Sequence, residues 1–183
     1  MIQMSKAVLT LLIFIGVPLP LRAQASAPYS GQQMRQLKAL SPEDIRAYRE
    51  GQGMGLAKAG ELNHYPGPKH VLELAAKLNL SQQQIAHAQR TYDKMHADAV
   101  RLGALIISRE RRLDELFASG RVNVDQMEGE IRKIARLQGE LRAVHLRAHL
   151  EMKRELSKDQ IARYDQLRGY QSGSSHQHHE HGE

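Results

Sequence analysis

The sequence predicts an all-α fold built on one long antiparallel helical hairpin, with shorter helices flanking it. Three observations predict it. Only 4% of the residues are aromatic, against 25% charged, a balance suited to long helices packed through narrow apolar seams rather than to a sheet core. One local pattern, Leu-Ser-x-x-(Asp/Gln)-Ile, occurs three times: Leu40 to Ile45, Leu80 to Ile85 and Leu156 to Ile161. Between the last two copies lie two long Pro-free segments, separated near Gly120 by a gap of only a few residues. A gap that short makes the two helices fold back on each other.

Each copy of the pattern has a physical reading. Ser41, Ser81 and Ser157 are N-caps whose hydroxyls accept a first-turn N–H. Asp44, Gln84 and Gln160, three residues on, reach back to the cap's own N–H and close a capping box. Leu40 with Ile45, Leu80 with Ile85, and Leu156 with Ile161 form hydrophobic staples across the cap. Pro42 occupies the first helical position, where its missing N–H costs nothing.

The elements follow in order. A first helix is expected from about Pro42 to Leu62, weakened by Gly51, Gly53, Gly55 and Gly60. The run Gly51-Gln52-Gly53-Met54-Gly55 has no strand before it and no Lys-Ser/Thr after it, so it does not read as a phosphate loop. Asn63 to Pro68 is a turn, and a short helix spans about Lys69 to Leu78. The long segment from Ser81 to about Ser119 holds a seven-residue register. One row is Ile85, Tyr92, Ala99, Ile106, Leu113; the other is Ala88, Met95, Leu102, Arg109, Leu116, with Arg109 a charged interruption. At 1.5 Å per residue it is roughly 55 Å long. Gly120 stops it, and Asn123 caps a partner helix, about Val124 to Leu156. That helix offers an apolar face of Met127, Ile131, Ile134, Leu137, Leu141, Val144 and Ala148. A last helix runs from Ser157 to about Tyr170. One hairpin has too little core to stand alone, so the shorter helices pack on it, and a homodimer is expected.

Four regions result. Residues 1–25 read as a signal peptide: Lys6 supplies the positive charge, Ala7 to Leu21 the apolar run, and Ala23-Gln24-Ala25 the small residues a peptidase reads, with cleavage after Ala25. The alternative is a retained anchor, but the run falls short of the ~20 residues a spanning helix needs. Bacterial export and a periplasmic location are the expectation. Residues 26–40 are a flexible lead-in, 41–170 the helical domain, and 171–183 a tail of Ser, Gly, His, Gln and Glu, disordered by composition.

The net charge is +6, and a basic excess of that size means solubility rather than nucleic-acid binding. No basic tract interleaved with aromatics is present. With no cysteine, thiol catalysis, disulfides and thiolate metal sites are excluded. No catalytic constellation appears; Ser81 and Ser157 are caps, and an enzyme is not expected.

The helix starts at 80–85 and 156–161 match an L-T-x-x-Q motif with Ser in place of Thr. Together with export, the hairpin and a His-rich end, they make residues 40–170 resemble the Spy/CpxP family of periplasmic proteins, which includes ZraP-like chaperones and CnrX-like heavy-metal sensors. The resemblance implies a hairpin dimer, ATP-independent holding of unfolded envelope proteins, and a link to metal stress. A sensor subunit signalling to a membrane partner and a structural dimeric spacer are the rival readings. The stretch from Pro42 to Pro68 is longer than the short first helix of the chaperone members.

Ten histidines suit the metal link. His176, His178, His179 and His181 form a native metal-scavenging tail, since Gln177 and Glu180 interrupt it where an artificial tag is unbroken. His145 and His149 share a helix face, with Met152 a turn beyond. Folding at Gly120 sets Met95 and His96 opposite them. Such a His/Met set suits Cu, Zn, Ni or Co, with Glu61 or Glu151 as a carboxylate and His64 or His70 as further donors. The plain alternative is polar residues on a half-exposed helix. Arg101, Arg109, Arg112, Arg132, Arg136 and Arg142 stud the hairpin. They are either a client-holding surface of charge and apolar stem or a solvated face paired with nearby acids.

Overall fold

The computed structural model describes residues 27–170. Residues 27–33 form a unit of their own, turns leading into a single 3₁₀ turn at Gln32–Met34. From Met34 onward the chain forms six helices: α1 (Pro42–Arg49), α2 (Lys58–Glu61), α3 (Pro68–Glu73), α4 (Gln82–Ala118), α5 (Val124–Glu155) and α6 (Lys158–Arg168). No strand occurs among the described residues, and no helix among them is long and apolar enough to cross a membrane. α4 and α5 pack antiparallel along their length. α1 and α3 lie on α4, and α2 and α3 on α5.

All three capping boxes form, at Ser41/Asp44, Ser81/Gln84 and Ser157/Gln160, and a fourth joins Asn123 to Gln126 at the start of α5. Gly120 adopts φ +65° just after α4, the left-handed conformation in which a Cβ is penalised. The two later boxes do more than cap. The Gln84 amide donates to Gln160 Oε1 at 2.9 Å and the Gln160 amide donates back to Gln84 Oε1 at 3.1 Å. Gln84 also donates to the Glu155 carbonyl at 3.1 Å. An amide carries both donor and acceptor, so the two side chains clasp each other while each still accepts its own cap's N–H. The start of α4, the end of α5 and the start of α6 are thereby tied together.

The seam follows the predicted rows in part. Ala88, Ala99, Leu102, Ile106 and Leu116 are buried, whereas Ile85, Tyr92, Met95, Arg109 and Leu113 are only half-buried. On α5, Ile134, Leu141 and Ala148 are buried, but Ile131 is 46% exposed. The interruption at Arg109 is answered across the seam by buried Glu130, 3.7 Å away, which Lys133 also contacts at 2.7 Å. Lys133 and Arg109 together hold the Glu130 carboxyl below its ordinary pKa.

Two expectations are corrected. The first helix does not run to Leu62. α1 ends at a Schellman turn, with Gln52 N–H donating to Ala47 O and Gly51 N–H to Tyr48 O, and φ is positive at Gly51, Met54 and Gly55. A helix cannot continue through left-handed residues, so 50–57 forms an arch and α2 restarts at Lys58. Nor is the lead-in wholly detached: Leu37 and Leu40 are buried against Ile107, with Ile45 and Tyr48 packed beside them. α1 approaches α4 so closely that a Cβ at Gly103 would overlap the Tyr48 carbonyl. The lone glycine inside α4 is thus a contact point between backbones.

At the base of the hairpin, Val71, Leu78, Ala88, Met152, Leu156, Ile161 and Tyr164 form one core cluster. A second, Ala99, Leu102, Ile106 and Leu141, lies further along, covered by Tyr48 and Leu56.

Candidate metal-binding cavity

A cavity of about 570 Å³ opens between the arch at 50–57, α2, the start of α3, one face of α4 and α5, and the end of α6. Met95, His96, His145 and His149 all line it, so the cross-hairpin placement expected of them is observed. Met152 does not join them. It is fully buried in the basal core against Val71, Tyr164 and their neighbours. The stripe 145, 149, 152 is continuous on α5, but α3 and α6 cover its last member.

The ring of His149 is oriented from behind. Its Nδ1 lies 2.7 Å from the Tyr65 carbonyl; a carbonyl only accepts, so Nδ1 carries a proton and is the donor. His96 is held in the same manner, its Nε2–H donating to the Glu50 carbonyl at 3.0 Å while the ring stacks on Tyr92. Metal-ligating histidines are oriented this way. His145 is 3% exposed and its Nε2 has no hydrogen-bond partner. Burial first, and then the neighbouring His149, lower its pKa, so at neutral pH it is an uncharged imidazole.

Glu61 is the carboxylate of the site. Its Oε1 accepts from Tyr164 Oη at 2.6 Å and Tyr170 Oη at 3.1 Å, with Arg168 Nε 3.5 Å away. Burial and the bond to Glu61 raise the Tyr164 pKa, keeping the phenol a donor. Glu61 Oε2, in contrast, is buried without a hydrogen-bond partner, 3.6 Å from His149 Nδ1. Gly67 makes room here: a Cβ on it would stand 2.9 Å from His149 Cε1. Glu151, the other candidate carboxylate, instead accepts from Thr91 Oγ1 at 3.0 Å, beside a separate small groove.

The remaining candidates disperse. His64 is outside the cavity, paired with Asp165 at 2.7 Å. It has φ +65°, unfavourable for a residue with a Cβ, and Lys153 Nζ bonds its carbonyl at 2.7 Å. His70 lines the cavity but its Nδ1 meets Glu73 at 2.8 Å. His87 lies 4.0 Å from Glu155. Among the described residues no three His, Asp or Glu side chains converge on one point as they stand. His176, His178, His179 and His181 fall outside the described residues. The partners of Glu61 on and just after α6, namely Tyr164, Arg168 and Tyr170, carried no local sequence signal, being about a hundred residues away.

Of the six hairpin arginines, five are in ion pairs: Arg101 with Asp98, Arg109 with Glu130, Arg112 with Glu115, Arg132 with Glu128 and Arg136 with Glu140. Four of these are within one helix, which favours the solvated-face reading. Arg142 is exposed. Leu105, Phe117, Val124 and Ile131 stand exposed among them.

Comparison of the chain with protein-family models, with curated proteins and with solved structures finds no match.

Proposed function

We propose that this chain is a periplasmic, metal-linked stress protein of the Spy/CpxP type, whose cavity takes a transition-metal ion on Glu61, His145 and His149. The observation that supports this most is the pair of buried atoms without hydrogen bonds, Glu61 Oε2 and His145 Nε2, beside the oriented His149. Leaving a buried acceptor unsatisfied costs about 1–3 kcal/mol. A cation bound in the cavity offsets that cost at each of these atoms that it meets. Two imidazoles, one carboxylate and the nearby Met95 thioether form a donor set suited to Cu, Zn, Ni or Co. Tyr164 and Tyr170 hold Glu61 Oε1, so Oε2 is the atom left to bind.

The test is calorimetric titration of each of the four metals into the full chain carrying asparagine at its four tail histidines. One ion per chain is expected, with affinity at least about tenfold weaker once His145→Ala and His149→Ala are added. Equal binding with and without those two histidines refutes the site.

The exposed Leu105, Phe117, Val124 and Ile131, interleaved with arginines, support loose holding of unfolded envelope proteins as the second half of this function. Light scattering from a chemically unfolded protein, with and without the chain, tests it. The sensor reading is favoured by one feature. Glu61 belongs to α2 and the two histidines to α5, so an ion held by all three ties separate segments together. Metal-dependent slowing of hydrogen exchange at residues 58–67 is its signature.

A further inference from the structure

The cavity is larger than a seat for one ion. Its volume of about 570 Å³ falls in the range of small-molecule sites, whereas a water takes only about 30 Å³ of liquid. Its donors also leave coordination positions open. Glu61, His145 and His149 supply three protein ligands, and an ion of the zinc type takes a fourth from solvent or from a bound molecule. His145, 3% exposed with Nε2 free of hydrogen bonds, gives the site a buried polar anchor.

The walls carry a charge that a bare cation does not use. Lys58, Lys69 and Arg168 line the cavity against two carboxylates, Glu50 and Glu61. Both carboxylates are engaged. Glu50 accepts from Gln52 Nε2 at 2.7 Å, and Glu61 Oε1 accepts from Tyr164 and Tyr170. Among the described residues neither Lys58 nor Lys69 pairs with an acid, unlike Lys38 and Lys133. Arg168 Nε is buried without a hydrogen bond, 3.5 Å from Glu61 Oε1, while its Nη2 donates to Tyr170 Oη at 3.1 Å. A divalent ion on Glu61, His145 and His149 adds to this excess of positive charge.

We infer that the cavity takes its metal together with a small polycarboxylate chelator of the hydroxy-acid class, the ion seated on Glu61, His145 and His149 and the outer carboxylates of the chelator meeting Lys58, Lys69 and Arg168. The inference rests on the metal reading above and names the form in which the metal is held. The chelator's oxygens fill the open coordination positions in place of water. Its outer carboxylates receive charge-assisted bonds, which for the planar guanidinium can be two in parallel. Partial enclosure strengthens such pairs over those in open water. Metal and chelator then tighten each other's binding, by the same factor in both directions.

Equilibrium dialysis of radiolabelled citrate and zinc(II) tests this. The full chain carrying asparagine at its four tail histidines is used, so that retained zinc reports the helical domain. Zinc alone should bind at one ion per chain. With zinc present, one citrate per chain should be retained along with the ion; without zinc, citrate affinity should fall at least about tenfold. Citrate should raise zinc affinity by that same factor, once zinc held by citrate in solution is subtracted. Lys58→Gln/Lys69→Gln alters two exposed positions and should weaken citrate retention about tenfold. Zinc alone should bind this variant at least as tightly as before, since two positive charges have left its surroundings.

Zinc retained without citrate overturns the inference, and so does citrate that strips zinc from the chain. Citrate held equally well without zinc makes the basic wall an anion site of its own and also overturns it. Undiminished citrate retention by Lys58→Gln/Lys69→Gln does the same. A chain that retains zinc neither alone nor with citrate fails the metal reading itself, whereas one that binds zinc but no citrate fails this inference only.

Discussion

The reciprocal amide pair at the hairpin base makes a prediction that can be worked from distances. Gln84→Ala deletes the acceptor for Ser81 N–H at 3.0 Å, the donor to Glu155 O at 3.1 Å, and both bonds of the clasp, at 2.9 and 3.1 Å. Each such bond is worth about 1 kcal/mol net. Some of the stranded groups regain water, because the site is only part-buried, so the expected loss is about 2–3 kcal/mol. The chain contains its own control. Gln126 completes the same kind of box at the hairpin tip, but its side-chain bond is the exposed one to Asn123 N–H at 3.2 Å. Gln126→Ala therefore should cost about 0.5–1 kcal/mol, and the gain in helix propensity from alanine cancels between the two. Urea unfolding followed by far-UV circular dichroism measures both, with unchanged slope marking an intact two-state transition. A double-mutant cycle of Gln84→Ala with Gln160→Ala should show coupling of about 1–2 kcal/mol. If Gln84→Ala costs no more than Gln126→Ala, or if the cycle is additive, the clasp contributes nothing beyond ordinary capping and the reasoning is refuted.

Further outcomes are expected from other positions. Gly103→Ala forces a methyl against the Tyr48 carbonyl and should destabilise by about 1–3 kcal/mol. Gly139→Ala, with nothing within 4 Å of its Cβ position, should stabilise by about 0.5–1 kcal/mol; the same denaturation series reads both. Met152→Ala should cost about 2–5 kcal/mol as a core truncation while leaving calorimetric metal affinity unchanged, which separates it from the cavity residues. His145 has a folded pKa below its unfolded value near 6.5. The folded state thus binds fewer protons, and its stability should be intact above that pH and fall as pH drops through it. Urea midpoints at pH 7.5 and 5.5 should differ less in His145→Leu than in the unaltered chain.

Much of the fold was legible because helix starts are local chemistry. Ser81 with Gln84, and Ser157 with Gln160, need only four consecutive residues to be recognised, and Gly120 with Asn123 marks the fold-back as locally. The break at 50–57 was signalled by its glycines, yet residue counts cannot tell a weakened helix from an arch; the left-handed turn at Gly51 decides it. Ile131 was misplaced because a heptad names a face without saying whether the partner helix still covers it near the tip. In the cavity, His145 and His149 were visible from spacing and Met95 and His96 from the fold-back. Met152 obeyed the same spacing and was misassigned, since what buries it is α3 and α6, which no pattern on α5 reveals. The choice between Glu61 and Glu151 stayed open in the sequence for a like reason. Glu61 is selected by Tyr164 and Tyr170, contacts that span 103 and 109 positions of chain.

The shorter helices gather toward one end of the hairpin, and the lead-in reaches only as far as the Lys38–Asp114 pair. Among the residues described from Met34 onward, no side-chain hydrogen bond or ion pair joins the hairpin beyond that point to another element. Cooperative unfolding should therefore be graded along the rod, with backbone amides near residues 115–128 exchanging with solvent well before those at the base. A segment spliced between Gly120 and Arg121 would burden only the loosest part of the molecule, so the far end can be lengthened, labelled or tethered to a surface while the cavity keeps its shape.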